Sequence, residues 1–139
     1  MRWSRLRHRG ADVDAEGNPP PFTVGSVTRD GVVVVAVAGE VDMDTAGLLR
    51  AELTVRLDLS PPALVVDLHD VTFFGSEGIS LLLETKLRTD DLGARLAVVV
   101  SRNALRPLEV TGVARLFDLA ATRTDALRKL TEAGPTSGQ

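Results

Sequence analysis

The chain has 139 residues, 44% of them hydrophobic and 25% charged, a make-up that suits one globular domain with a real core and is too short for two. Sixteen basic against nineteen acidic side chains leave a formal charge of −3, the wrong sign and size for a nucleic-acid partner. There is no cysteine, which excludes disulfides, thiolate metal sites and a cysteine nucleophile, and no apolar run approaches the roughly 20 residues of a membrane span.

Residues 1–21 read as a disordered N-terminal tail. The stretch begins basic (Arg2, Arg5, Arg7, Arg9), turns acidic (Asp12, Asp14, Glu16) and ends in Pro19-Pro20-Pro21, without the apolar segment a secretory signal requires. A cytoplasmic location is therefore expected. A first strand is predicted over Phe22–Thr28, with Asp30-Gly31 as a two-residue hairpin turn. Val32–Ala38 is apolar at every position, as a strand covered on both faces would be, and Gly39-Glu40-Val41-Asp42 closes it. A helix capped by Asp44 or Thr45 follows, its inward face carrying Ala46, Leu49, Leu53 and Leu57 at spacings of three and four.

Ser60-Pro61-Pro62 ends that helix, and Ala63–Leu68 is the next strand, followed by a turn at His69-Asp70. A second helix is predicted over Ser76–Asp90, with Glu84 and Arg88 paired at i,i+4 and Gly93 as its stop. Arg95–Val100 is another strand and Asn103–Val110 a short helix. A short strand near Leu116–Leu119 and a helix over Thr122–Glu132 complete the domain, and residues 133–139 read as a second tail. The order β β α β α β α β α predicts an α/β fold over residues 22–132, a mixed sheet of four to five strands with helices packed on one face.

The candidate site is Val71-Thr72-Phe73-Phe74-Gly75-Ser76-Glu77-Gly78. Ser76 falls at the expected N-cap of a helix, and two readings follow. It is a capping serine in a tight turn, or it is a hydroxyl displayed between two side-chain-free glycines where a phosphate would be well seated. Glu40 and Asp42 close a strand expected to lie beside the one leading to Ser76, so both carboxylates are candidates for the same site, with Asp42 alternatively capping the next helix. An enzyme is not expected. The only histidines are His8 in the tail and His69 in a turn, and the local sequence is G-S-E-G rather than the G-x-S-x-G elbow of serine hydrolases. Asp67, His69 and Asp70 lack the spacing of metal ligands, and no phosphate- or dinucleotide-binding glycine motif is present, so no cofactor is expected.

Gly39-Glu40-Val41-Asp42 after a valine strand, followed by Asp67-Leu68-x-x-Val71-x-Phe73-x-x-Ser76-x-Gly78, resembles the STAS domain of the anti-sigma factor antagonists, and the likeness runs from about Phe22 to Leu130. The resemblance implies a single STAS-type domain that binds an anti-sigma factor which is also a serine kinase. It implies that Ser76 is phosphorylated to switch the interaction off, and that a PP2C-type phosphatase restores it. Asp42 matches the family's acidic residue near that serine. The partner-binding set expected on this basis is Glu40, Asp42, Gly75, Ser76, Glu77 and Gly78. Gly75 and Glu77 stand where the family usually has Asp before the serine and Ser or Thr after it. The alternative reading is a STAS scaffold that is never phosphorylated, or a small-ligand-sensing subunit of another signalling assembly.

Overall fold

The computed structural model describes residues 15–17 and 21–133, so the tails expected at either end lie largely outside the described residues. Two strands open the fold. β1 (Thr23–Arg29) and β2 (Val32–Val41) pair antiparallel through Asp30 and Gly31, both with positive φ (55° and 82°), as a tight hairpin of this hand requires. Three parallel strands follow, β3 (Ala63–Phe74), β4 (Arg95–Val100) and β5 (Leu119–Ala120), and the sheet order is β1-β2-β3-β4-β5. The helices are α1 (Ala46–Leu57), α2 (Ser76–Leu92), α3 (Arg102–Val110) and α4 (Arg123–Ala133).

Alternation along the strands divides the core in two. Val33, Val35, Leu64, Val66, Leu68 and Val98 face the leucines of α1, α2 and α3, among them Leu49, Leu53, Leu81, Leu82 and Leu108. Val34, Val65, Ala97 and Val99 face the other way, where Ala126 and Leu130 of α4 cover them. The three crossover helices therefore share one face, as parallel connections of a single hand dictate. The fourth helix closes the opposite face. The cause is in the strands themselves, because runs such as Val32–Val37 and Leu64–Val66 are apolar on both sides and need cover on both. No helix among the described residues is long and apolar enough to cross a membrane.

Two local features set the position of the site. The expected turn at His69-Asp70 is absent, and β3 runs on to Phe74, still paired with β2 as far as Val41. The buried carboxylate of β3 is satisfied without leaving the sheet. The Asp67 carboxylate, 4% exposed, accepts Arg123 Nη2 at 2.8 Å and Nε at 3.2 Å on one oxygen and the His69 N–H at 3.0 Å on the other. Meanwhile β2 slips register between Ala36 and Ala38 and again between Gly39 and Glu40. Gly39 is required there, since its φ is +94° and a Cβ would lie 2.9 Å from the Phe22 Cα and the Pro21 carbonyl oxygen. The ends of β2 and β3 thus finish side by side.

Other boundaries shift slightly. The last strand is reduced to Leu119–Ala120 after a 3-10 turn at Ala114–Leu116, and α3 starts one residue early. Glu84 does not pair with Arg88: it binds Arg50 of α1, and Arg88 reaches Asp58 instead.

Candidate functional site

The site lies at the carboxyl end of β3, where open parallel sheets place their functional loops. β3 ends on buried Phe74, whose ring packs so closely on Gly78 that a Cβ there would lie 2.7 Å from it. Between them the chain must turn from strand to helix in one residue. Gly75 makes that turn with extended backbone (φ −86°, ψ −174°) and is itself the N-cap: its carbonyl accepts the N–H groups of Gly78 and Ile79 at 3.0 and 3.1 Å. Its own N–H donates to the Val41 carbonyl at 3.0 Å, which ties the start of α2 to the end of β2.

This corrects the placing of Ser76 at the N-cap. Ser76 is the first residue inside the helix, and its exposed side chain makes no cap bond. No side chain caps α2 at all. The N–H groups of a first helical turn have no partner within the helix and carry the positive end of its dipole, so an anion is favoured at this spot.

Asp42 ties the turn ahead of α1, whose N-cap is Thr45 with no side-chain cap bond. The Asp42 Oδ1 accepts the Asp44 N–H at 2.9 Å, the Thr45 N–H at 3.1 Å and the Thr45 hydroxyl at 3.2 Å, which fixes the turn into α1. The Thr45 hydroxyl also donates to the Glu40 carbonyl oxygen at 2.7 Å. Glu40 pairs in register with Phe73, so both acidic residues stand at the same sheet end as Ser76. Neither lines the hollow that holds the serine.

That hollow, of about 420 Å³, lies between the first turns of α1 and α2 and is lined by Met43, Ala46, Gly47, Arg50, Ser76, Glu77 and Ser80. Gly47 is exposed and a Cβ on it would meet nothing within 4 Å, so α1 is bare opposite the serine. Apolar side chains flank Ser76. Met43 of this hollow is 79% exposed, and Phe73, which lines a neighbouring hollow with Arg102 and Arg106, is 52% exposed with its ring 3.0 Å from where a Gly75 Cβ would stand. The sequence does not single out Met43, Gly47, Arg50 or Ser80. The available signals were the i,i+4 spacing of Ser76 and Ser80 and a methionine in a polar turn. His69 borders a different hollow, with Ser101, Arg102 and Arg106 of the α3 start, and its Nδ1 lies 3.2 Å from Asp70. A base within reach of Ser76 is not supplied by it.

Comparison with known proteins agrees with this geometry. The family model described as the STAS domain matches residues 24–126. The anti-sigma-F factor antagonist RsfB of Mycobacterium tuberculosis is 34% identical over 112 residues, covering 78% of this chain and 89% of the relative. The crystal structure of an anti-sigma factor antagonist from Mycobacterium paratuberculosis superposes with a TM-score of 0.75 at 37% identity, covering 80% of this chain and 95% of that one. The Bacillus cell fate determinant SpoIIAA, solved in its phosphorylated form, shares the fold with a TM-score of 0.60 at 20% identity, over 79% and 99% of the two chains.

Proposed function

The chain belongs to the STAS-domain family, and from that premise we propose that it is an anti-sigma factor antagonist of the cytoplasm, switched by phosphorylation of Ser76. The observation that carries this reading is the combination at the start of α2: an exposed hydroxyl, no capping side chain, and a hydrophobic rim of Met43 and Phe73 around it. An exposed apolar rim around a small polar centre suits a protein partner better than a small substrate. The named functions of the mycobacterial relatives support an anti-sigma factor as that partner. The contact surface comprises Gly75, Ser76, Glu77 and the rim, with Gly78 holding the helix against Phe74, and Glu40 and Asp42 shaping the loop beside it.

In this reading the partner is also a serine kinase. The Ser76 Oγ attacks the γ-phosphorus of ATP, the bond from that phosphorus to the bridging oxygen breaks, ADP leaves, and the hydroxyl proton passes to the kinase's base. A PP2C-type phosphatase reverses the state by water attack on the phosphorus, releasing inorganic phosphate and returning the hydroxyl. The modification adds about −1.5 to −2 charge where Glu77 is already negative. The helix start tolerates that charge, while the partner would have to desolvate a dianion on a surface shaped for a neutral hydroxyl.

The test is capture of the binding partner from the native cell, followed by calorimetric titration with the purified partner. Ser76→Asp is expected to leave the circular dichroism unchanged and weaken binding at least tenfold, about 1.4 kcal/mol. Ser76→Ala binds normally and takes no label from radioactive ATP, and Gly75→Asp, which restores the family's usual residue, takes more label than wild type. Wild-type affinity in Ser76→Asp would overturn the reading.

A further inference from the structure

Along α2, Ser76, Ser80 and Glu84 follow one another at intervals of four and so form a single row on one face, turned towards α1. Arg50 of α1 lies against that row. It lines the same hollow as Ser76 and Ser80, yet its guanidinium is turned to the far end, where Nη2 contacts both Glu84 oxygens at 3.0 Å and Nε contacts one at 3.3 Å. The two acceptor positions, one present and one created by modification, therefore flank Ser80 at one helical turn on either side, roughly 6 Å each way.

Resting on the reading that Ser76 carries a phosphate, we propose that Arg50 is an internal phosphate reader: phosphorylated Ser76 takes Arg50 from Glu84 and leaves Glu84 unpaired on the surface. Four points support the exchange. The Arg50–Glu84 side chains are 50% and 55% exposed, and ion pairs in water hold weakly. A phosphoserine offers about two charges and three acceptor oxygens, against one charge and two oxygens on the carboxylate, and takes a guanidinium in the same forked manner. The path is open, because Gly47, one turn before Arg50 on α1, carries no side chain and a Cβ there would meet no atom within 4 Å. Arg50 is also the one cationic side chain among those lining the hollow, whereas Glu77 in the same hollow opposes the phosphate.

The consequence is a signal longer than the modification. Eight residues separate Ser76 from Glu84, about 12 Å along the helix axis. Phosphorylation at the first turn would expose an uncompensated carboxylate at the third, so a partner lying along α2 meets new negative charge at two places instead of one.

The experiment uses the full chain with phosphoserine installed at position 76 by an expanded genetic code, which needs no kinase, and follows the phosphate's second ionisation by phosphorus NMR. That ionisation falls near pH 6 without neighbours. With Arg50 in place it is expected lower, and Arg50→Gln raises it by about half a unit, the contribution of one exposed ion pair. Glu84→Gln, which frees Arg50 in advance, lowers it further, and that lowering disappears when Arg50→Gln is also present. Unphosphorylated Arg50→Gln must melt like wild type, so that a structural role is separated from phosphate capture. Equal ionisation in wild type and Arg50→Gln, or a Glu84→Gln effect that survives in the Arg50→Gln background, overturns the inference. Because the phosphate is installed, such a failure leaves kinase control of Ser76 untouched, and a kinase that ignores Ser76 leaves this inference standing.

Discussion

Two helix starts meet at the same end of the sheet, and they are built in opposite ways. The entry to α1 is closed by its own side chains: Asp42 Oδ1 accepts the Asp44 and Thr45 N–H groups, and the Thr45 hydroxyl accepts the Asp42 N–H at 3.0 Å. Those bonds tie the turn before α1, whose N-cap Thr45 makes no side-chain cap bond, while the start of α4 is capped outright, with Thr122 Oγ1 accepting the Asp125 N–H at 3.1 Å. At α2 a glycine stands in the capping position and no side chain reaches the first-turn donors. What holds α2 is its inner face, where Leu81, Leu82, Thr85 and Thr89 are buried, and its far end, where Gly93 in left-handed backbone lets the Ala94 N–H bond to the Thr89 carbonyl at 2.8 Å. Anchoring and access are thus divided along one helix, with its inner face buried and its start left without a side-chain cap.

The largest expected effect tests the anchored side. Leu82→Asp places a charge among the buried leucines and is expected to cost about 4 kcal/mol or more, abolishing the cooperative melt near physiological temperature. Leu87→Asp in the same helix, at a position 67% exposed, should stay within about 0.5 kcal/mol of wild type. Equal losses would mean that α2 is not held by one face. A smaller effect is expected at Gly78, where a Cβ would fall 2.7 to 2.9 Å from three atoms of the buried Phe74 ring. Gly78→Ala should cost about 2 kcal/mol in denaturant unfolding, since the buried ring must shift to admit the methyl group.

The comparison of the two starts is tested by removing one hydroxyl and one carboxylate. Asp42→Ala should lower stability by about 1 to 1.5 kcal/mol, the loss of the hydrogen bonds its carboxylate accepts in the turn before α1, while Ser76→Ala should change it by less than about 0.5 kcal/mol. If both cost the same, Ser76 is a structural cap after all and the start of α2 is not open.

The sequence shows the elements clearly because Val, Leu and Ala repeat at two or at three and four residues with little interruption. The burial of Val34, Val65 and Val98 and of Leu49, Leu53 and Leu57 of α1 follows from that pattern. What it hides are polar residues whose partners are distant. His69-Asp70 looks like a turn because two adjacent polar side chains after a strand ordinarily seek water, with a third, Asp67, just before them. Here Asp67 is matched by Arg123, fifty-six residues away, and the strand continues. The same reason conceals Arg50: by spacing alone Glu84 belongs with Arg88, and only the side-by-side packing of α1 and α2 gives it a nearer cation. The residues flanking Ser76 were legible as far as its own loop reached. The α1 half of the hollow, from Met43 to Arg50, required the register slip at Gly39 that brings β2 to the end of β3.

The smallest expected effect is the most discriminating, because it converts the open start into the closed kind. Gly75 has backbone angles that any residue adopts, so Gly75→Asp carries no conformational strain. Its Cβ would lie 3.0 Å from Phe73 Cε2 and 3.3 Å from Glu77 Oε1, and the half-exposed Phe73 ring has room to turn aside. The new carboxylate would then accept a first-turn N–H of α2, a cap of about 1 kcal/mol. Against this stands Glu77, whose carboxylate already occupies the same helix start. The two contributions should nearly cancel, leaving Gly75→Asp within about 0.5 kcal/mol of wild type in denaturant unfolding. Adding Glu77→Gln removes the repulsion, so the double variant should gain roughly the full cap relative to Glu77→Gln alone. If Gly75→Asp stabilises by that full amount with Glu77 in place, Glu77 is not the group that opposes negative charge at Ser76. The electrostatic difference between the two helix starts would then rest on the missing cap alone.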